Sequence, residues 1–208
     1  MEFEEEISDL DRLRKFRPIE ATNGSVLKVS DRLNDVGRRF IEMSPFIMVA
    51  TKQSDGLVDV SPKGDPAGFV KVLDDKTIAI PDRLGNHRAD GFVNILSDPN
   101  VAVIFLIPDH GFSLRVAGKA KIVRDTTLNN SMLVNGKAPD LALVVEIEEA
   151  FMHCAKALIR SGIWRTDTWP EKGTGPKLAE WQVDVVQDER TFEEVFAVHT
   201  NDEKTRLY

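Results

Sequence analysis

The chain has 208 residues, is 42% hydrophobic and 29% charged, and carries a formal charge of −7. That length suits one sizeable domain with terminal additions, and the composition allows both a buried core and a water-facing surface. The acidic balance argues against DNA or RNA as a main partner, while a local basic pocket for a small anion remains compatible with it. Cys154 is the only cysteine, which excludes an intramolecular disulfide and a cysteine-rich metal site. No apolar run reaches the roughly 18 residues of a membrane span. The N-terminus, MEFEEEISDL, lacks the cationic region and apolar core of a signal peptide. The expectation is a cytoplasmic protein.

Apolar residues at 7, 10, 13 and 16 predict a helix over Ile7–Phe16 with Ser8 as its cap, ended by Pro18. Asn23-Gly24 marks a turn, and Ser30 is the expected cap of a second helix with Leu33, Val36, Phe40 and Ile41 on one stripe. Pro45 breaks it. Phe46–Thr51 is a short apolar run, as in a strand buried on both faces. Ser54-Asp55-Gly56 signals a hairpin, with Leu57–Ser61 as the return strand. Pro62, Gly64, Pro66 and Gly68 punctuate a loop; Phe69–Leu73 resumes the sheet and Thr77–Pro81 turns back. A loop over Asp82–Asn86 leads into a helix through Leu96.

Val101–Ile107 reads as another buried strand. Ser113–Arg124 alternates, with Leu114, Val116, Gly118, Ala120 and Ile122 on one face and Ser113, Arg115, Ala117, Lys119 and Lys121 on the other. Thr126–Val134 is a candidate helix, and Leu141–Ile147 begins a last long strand that extends toward His153. Ala155–Arg160 is a short helix. Trp164–Pro176 is a loop, followed by helices over Leu178–Val186 and Thr191–Val198. Six or seven strands joined mostly by tight turns favour an antiparallel, closed or nearly closed barrel. The chain divides into an N-terminal helical extension (1–43), a barrel core (44–164) and a C-terminal loop and helices (165–208) packing on the core or on a dimer partner.

The chemistry concentrates between Asp59 and Gly91. Asn86 is a good helix cap, and the first turn of a helix offers unpaired N–H groups and a positive dipole end. Arg83, His87 and Arg88 crowd cations there, against the helix's own preference, as an anion site requires. A solvated turn with ordinary surface arginines fits the same spacing. Ser61 and Lys63 can donate to ring carbonyls or a phosphate, and Gly64 permits close approach to the backbone. A polar hairpin end fits them as well. Ser113 and Arg115 face a ligand, a partner chain or solvent. His153-Cys154 lacks an orienting third group for nucleophilic chemistry. Histidines at 87, 110, 153 and 199 show no ligand spacing, so no metal site is expected. Neither GxGxxG nor GxxxxGK[ST] occurs.

The succession SPFIMVAT, DVSPKGDPAGFVKVLDD, IAIPDRLGNHRADGFVNILSDPNVAVIFLIP, LRVAGKAKIVRD and HCAKALIRSGIW resembles the pyridoxamine 5'-phosphate oxidase-like, FMN-binding split-barrel family from about Ser44 to Trp164. The resemblance implies a mainly β fold with flanking helices, built on a six-stranded antiparallel split barrel. It also implies a homodimer with two FMN molecules at the subunit interface. It places Asn86, His87 and Arg88 where the family grips the phosphate, and Ser61, Lys63 and Gly64 beside the flavin ring. Ser113 stands where the oxidases often have a glutamine contacting FMN. Lys156 and its neighbours would reach the other subunit's flavin. The oxidases' C-terminal arginine segment has no counterpart after Trp169, so activity on pyridoxamine phosphate itself is not expected. The implied function is an FMN-dependent oxidoreductase passing hydride between flavin and a small organic substrate. The alternatives are a flavin-binding or flavin-storage protein without turnover, and a split barrel using a deazaflavin or haem, for which His153 is the evident ligand.

Overall fold

The computed structural model describes residues 3–17, 23–85, 88–186 and 189–208. Seven antiparallel strands make one sheet in the order β2-β1-β5-β6-β7-β4-β3, with β1 at Phe46–Lys52, β2 at Val58–Gly64, β3 at Lys71–Val72, β4 at Thr77–Pro81, β5 at Asn100–Leu106, β6 at Ser113–Val123 and β7 at Ala142–His153. The two edge strands, β2 and β3, are consecutive in the chain. Seven residue steps from Gly64 to Lys71 reach at most ~25 Å, whereas the edges of a flat seven-stranded sheet lie ~29 Å apart. The sheet therefore curls until its edges approach, and no ladder joins β2 to β3 among the described residues. The result is a split barrel. The strand count is seven rather than six because Lys71 and Val72 pair with Ala79 and Ile78 as a two-residue edge.

Alternation decides what fills the interior. Ile47 and Val49 on β1, Val103 and Phe105 on β5, Leu114 and Val116 on β6, Val145 on β7 and Ile78 and Ile80 on β4 are all buried in one cluster. β6 follows its predicted alternation. Opposite it, β7 carries one extra residue, because Ala117 pairs with Glu149 while Gly118 pairs with Ile147. Gly118 sits at this bulge, and a Cβ there would lie 1.9 Å from the Glu146 carbonyl oxygen.

Among the described residues eight α-helices flank the sheet: α1 (Leu10–Phe16), α2 (Asn23–Leu27), α3 (Asp35–Met43), α4 (Asp90–Ser97), α5 (Thr126–Ser131), α6 (Lys156–Ser161), α7 (Leu178–Val186) and α8 (Phe192–Thr205). Several boundaries move for local reasons. Asp9, not Ser8, caps α1, its side chain accepting from the Arg12 N–H. Asn23-Gly24 opens a short helix rather than a turn. Asn34, not Ser30, caps α3, and the Ser30 backbone bridges to Ala150 instead. Pro62 lies inside β2 rather than in a loop, which an edge strand tolerates because one side needs no N–H donor. α8 extends past Val198 to Thr205 behind a full Thr191/Glu194 capping box. The predicted Pro18 helix stop lies outside the described residues.

One buried polar assembly holds the split. Arg83, just past β4, donates from Nε to Asp65 Oδ2 (2.6 Å) and from an Nη to the Met132 carbonyl (2.7 Å). The Asp65 side chain is 1% exposed and that of Arg83 15%. Tyr208 Oη donates to the other oxygen of Asp65 at 2.7 Å.

Two stability outcomes follow. Gly118→Ala loses about 3 kcal/mol in urea denaturation, the upper end for overpacking; a loss near zero contradicts the bulge. Asp65→Asn leaves Arg83 without its buried counter-charge and loses about 3 kcal/mol, whereas a loss below about 1 kcal/mol, the range of a surface pair, shows that the pair does not hold the split.

Candidate functional site

β2 is patterned inside out. Its apolar Val58 and Val60 point outward and are 62% and 55% exposed, while Asp59, Ser61 and Lys63 point inward. The register sets Asp59 beside Thr51, Ser61 beside Val49 and Lys63 beside Ile47, the buried face of β1. A strand selected only for burial would be the reverse. The inward polar face opens into a cleft of about 380 Å³ at the split, bounded across the gap by Asp82 and Leu143 and overhead by the first turn of α4.

α4 is held over the cleft from its buried side: Asn94 Nδ2 donates to Thr51 Oγ1 at 2.9 Å, both residues being buried. Its start departs from expectation. The helix begins at Asp90, and its N-cap is Ala89 in the left-handed region (φ 53°, ψ 25°) with no side-chain cap. That conformation is unfavourable for a residue with a Cβ. Asn86 is therefore not the N-cap of this helix; Asn86 and His87 themselves lie outside the described residues. Arg88 precedes the helix instead of standing in its first turn. It lines the cleft, and its Nε donates to Asp90 Oδ2 at 2.7 Å. Asp90 and Gly91 line the cleft as well, and their N–H groups belong to the first turn, which has no intrahelical acceptor.

Burial shapes the electrostatics. Lys63 donates from Nζ to Ser61 Oγ. Burial lowers its pKa from the ordinary lysine value, and the nearby carboxylates of Asp82 and Asp59 oppose that shift. Asp82 is raised, again mainly by burial, with Lys63 opposing. Each group is thus pushed toward neutrality by the same partial exclusion of water.

The structure divides the predicted residues. Ser61, Lys63 and Arg88 converge on the cleft. Arg83 lies beside it, but its guanidinium is engaged by Asp65 and the Met132 carbonyl. Gly64 pairs with Phe46 at the end of β2, with the Pro45 carbonyl 3.4 Å from where a Cβ would be, and does not line the cleft. Ser113 pairs with Leu106 and His153, off the inward Leu114–Val116 face of β6. Lys156 opens α6 three residues after His153. Neither reaches the cleft of its own chain. Sequence reasoning passed over Asp59 and Asp82, which alternation along Val58–Gly64 and the end of β4 could have flagged. Asp65 and Tyr208, 143 positions apart, carried no such signal.

A second cavity of about 630 Å³ adjoins the first and shares Lys63, Asp82 and Ala89 with it. Its remaining wall includes Lys137, Asp140 and Tyr208. Among the described residues no group of acidic, histidine or cysteine side chains could hold a metal, and no helix is long and apolar enough to cross a membrane.

Residues 33–154 match the family described as pyridoxamine 5'-phosphate oxidase. Among solved structures, HupZ of Group A Streptococcus is 18% identical, with 58% of this chain and 93% of that one covered and a TM-score of 0.47. A putative pyridoxamine 5'-phosphate oxidase from Lactobacillus delbrueckii is 22% identical (59% and 95% covered, TM-score 0.46). A pyridoxamine 5'-phosphate oxidase-related, FMN-binding protein from Nostoc punctiforme is 13% identical (57% and 78% covered, TM-score 0.41). No curated protein matches the sequence. With more than half of its length matched and a split antiparallel barrel as its core, the chain belongs to the pyridoxamine 5'-phosphate oxidase family.

Proposed function

We propose that this protein is an FMN-binding oxidoreductase, acting as a homodimer on a small organic substrate. The observation that carries the reading is the inside-out β2, which turns Asp59, Ser61 and Lys63 into a cleft under the start of α4. The donor set fits FMN at both of its ends. Arg88 and the first-turn N–H groups of Asp90 and Gly91 suit a phosphate. Ser61 and Lys63 suit the carbonyls and nitrogens of a flavin ring. Asn86 and His87, adjoining Arg88 in the chain, belong to the same phosphate proposal. FMN would supply the two-electron chemistry, and the protein would supply binding, orientation and charge.

Lys63 has a defined role in that scheme. Its ammonium is half-buried and fixed by Ser61 Oγ, so it presents positive charge with little freedom to turn away. A fixed cation beside a ring that gains negative charge on reduction favours the reduced state. Asp82, its carboxyl pushed above the ordinary value by burial, faces Lys63 across the cleft and is placed to hold or release a proton there.

The homodimer reading rests on the opposite face of the sheet. Val58, Val60 and Phe46 are 62%, 55% and 38% exposed there, an apolar patch that a second copy would cover. The same copy would bring its Ser113 and Lys156 toward a flavin that they cannot reach in their own chain.

Purified protein titrated with FMN gains thermal stability and a flavin absorption band; a colourless protein with no shift at excess FMN ends the reading. Arg88→Glu weakens FMN at least about tenfold through loss of a charge-assisted phosphate bond. Because burial lowers the Lys63 pKa below its ordinary 10.5, FMN affinity holds at neutral pH and declines as pH rises through a value below that of free lysine. Lys63→Met abolishes the decline. Val60→Asp shifts the protein to a monomer in light scattering and lowers FMN affinity with it; a dimer that persists with full affinity removes the outer face from the interface.

A further inference from the structure

We propose that the 630 Å³ cavity is a second ligand site, walled by Tyr208, that takes a small planar molecule presenting N–H donors, such as an amine, amide or amidine, and rejects anions. Its volume falls among small-molecule sites. It opens onto the cleft through Lys63, Asp82 and Ala89, so a ligand there lies beside whatever fills the cleft.

The class of ligand follows from which charges are already engaged. Among the described residues three cations border the cavity. Arg83 is committed to the buried Asp65 and to the Met132 carbonyl, and Tyr208 lies over its guanidinium with 5.8 Å from the ring centroid to Cζ. Lys137 Nζ donates to a main-chain oxygen of Tyr208 at 2.6 Å. Lys63 is turned to Ser61. The two carboxylates of the wall are placed differently. Among the described residues neither Asp82 nor Asp140 forms an ion pair within 4.0 Å, although Lys63 stands near enough to Asp82 to favour its charged form. A phosphate or carboxylate entering here would meet two acceptors. A flat N–H donor would satisfy both and find the Tyr208 ring and the chain around Pro139 as apolar flanks.

The wall is held from outside the region that matches the family. Tyr208 lies beyond residue 154 and is anchored to the barrel by Asp65 and Lys137. The shape of the cavity is thus a property of this chain's own C-terminal segment. That the ligand is a co-substrate rests on the FMN reading; that the cavity binds it does not.

Calorimetry with benzamidine and its isosteric anion benzoate, on the full-length protein with and without FMN, tests this. Benzamidine binds at least about tenfold more tightly than benzoate, the scale of one charge-assisted hydrogen bond. Asp82→Asn and Tyr208→Ala each weaken it about tenfold, and Tyr208→Phe, which keeps the ring, weakens it less than Tyr208→Ala. Equal or tighter binding of benzoate overturns the proposal, as does benzamidine affinity unchanged in both Asp82→Asn and Tyr208→Ala. Benzamidine selectivity in a protein that fails to bind FMN leaves the cavity assignment standing and removes only the co-substrate role.

Discussion

The buried Asp65–Arg83 ion pair spans the split of the barrel. Asp65 follows β2 and Arg83 follows β4, so the pair ties one edge of the curled sheet to the strand next to the other edge. Where hydrogen-bonded ladders close a complete barrel, a split barrel needs some other bond across its gap. Here that bond is buried and charge-assisted, and it recruits two further segments, the end of α5 through the Met132 carbonyl and the C-terminal tail through Tyr208. A buried ion pair is not an efficient source of net stability, since both ions lose water. Its value is directional: a guanidinium and a carboxylate at 2.6 Å tolerate few other arrangements of the two edges, whereas apolar contact would tolerate many. The gap is thereby held open at a fixed width, and the cleft is the consequence.

The same gap explains the electrostatics. Water is partly excluded between β2 and the end of β4, so Lys63 is lowered and Asp82 raised although each is a favourable neighbour of the other. For Lys63, a depressed pKa means its contribution to stability is present above the ordinary lysine range and lost as pH falls through the folded value. For Asp82, a raised pKa means the reverse: the contribution is present below the ordinary carboxylate range and lost as pH rises through the folded value. Between those limits both groups are charged and both are imperfectly solvated. The protein keeps a pair that burdens its fold where a Met and a Leu would not, and Ala89 adds a left-handed backbone at the same place. Such local departures from the stable choice are expected where a ligand is to be met.

Much of this fold was legible. The runs Phe46–Thr51 and Val101–Ile107 and the alternation from Ser113 onward are strong periodic signals, and the structure places a strand on each. The tight turns between them specified antiparallel pairing. Helix starts were less legible because several residues nearby could serve as caps. Ser8 and Asp9 are adjacent candidates, and Ser30 lost to Asn34 once its backbone was drawn into a bridge with Ala150. Of the site, Ser61 and Lys63 were readable as donors beside Gly64 and Arg88 as one of the cations crowded before α4, and family likeness points to all three. Arg83 was read as a free cation because nothing local reveals that Asp65, 18 positions earlier, faces it across the split. Partners that meet only through tertiary closure leave no periodic trace. The Tyr208 contact with Asp65, spanning 143 positions, is the extreme case.

The predicted residues lie on two opposite faces of the sheet. Along one row of the sheet, Ser61 pairs with Val49, Val49 with Val103 and Val103 with Val116, all turned to the interior. Ser113 belongs to a different row, that of Gly64, Phe46 and Leu106, and to the other face of β6. Three strand spacings separate β2 from β6, about 14 Å at the usual separation, and the core fills the space between. No rotamer change brings Ser113 or Lys156 to the cleft of the same chain. If both contact the ligand that Ser61 and Lys63 contact, a second copy must present them, and it must do so across the outward face where Val58 and Val60 are exposed. The inside-out patterning of β2 then has one cause with two effects. Under the FMN and dimer proposals, the inward polar side chains would meet the ligand, and the outward apolar side chains would meet the partner that completes the same site.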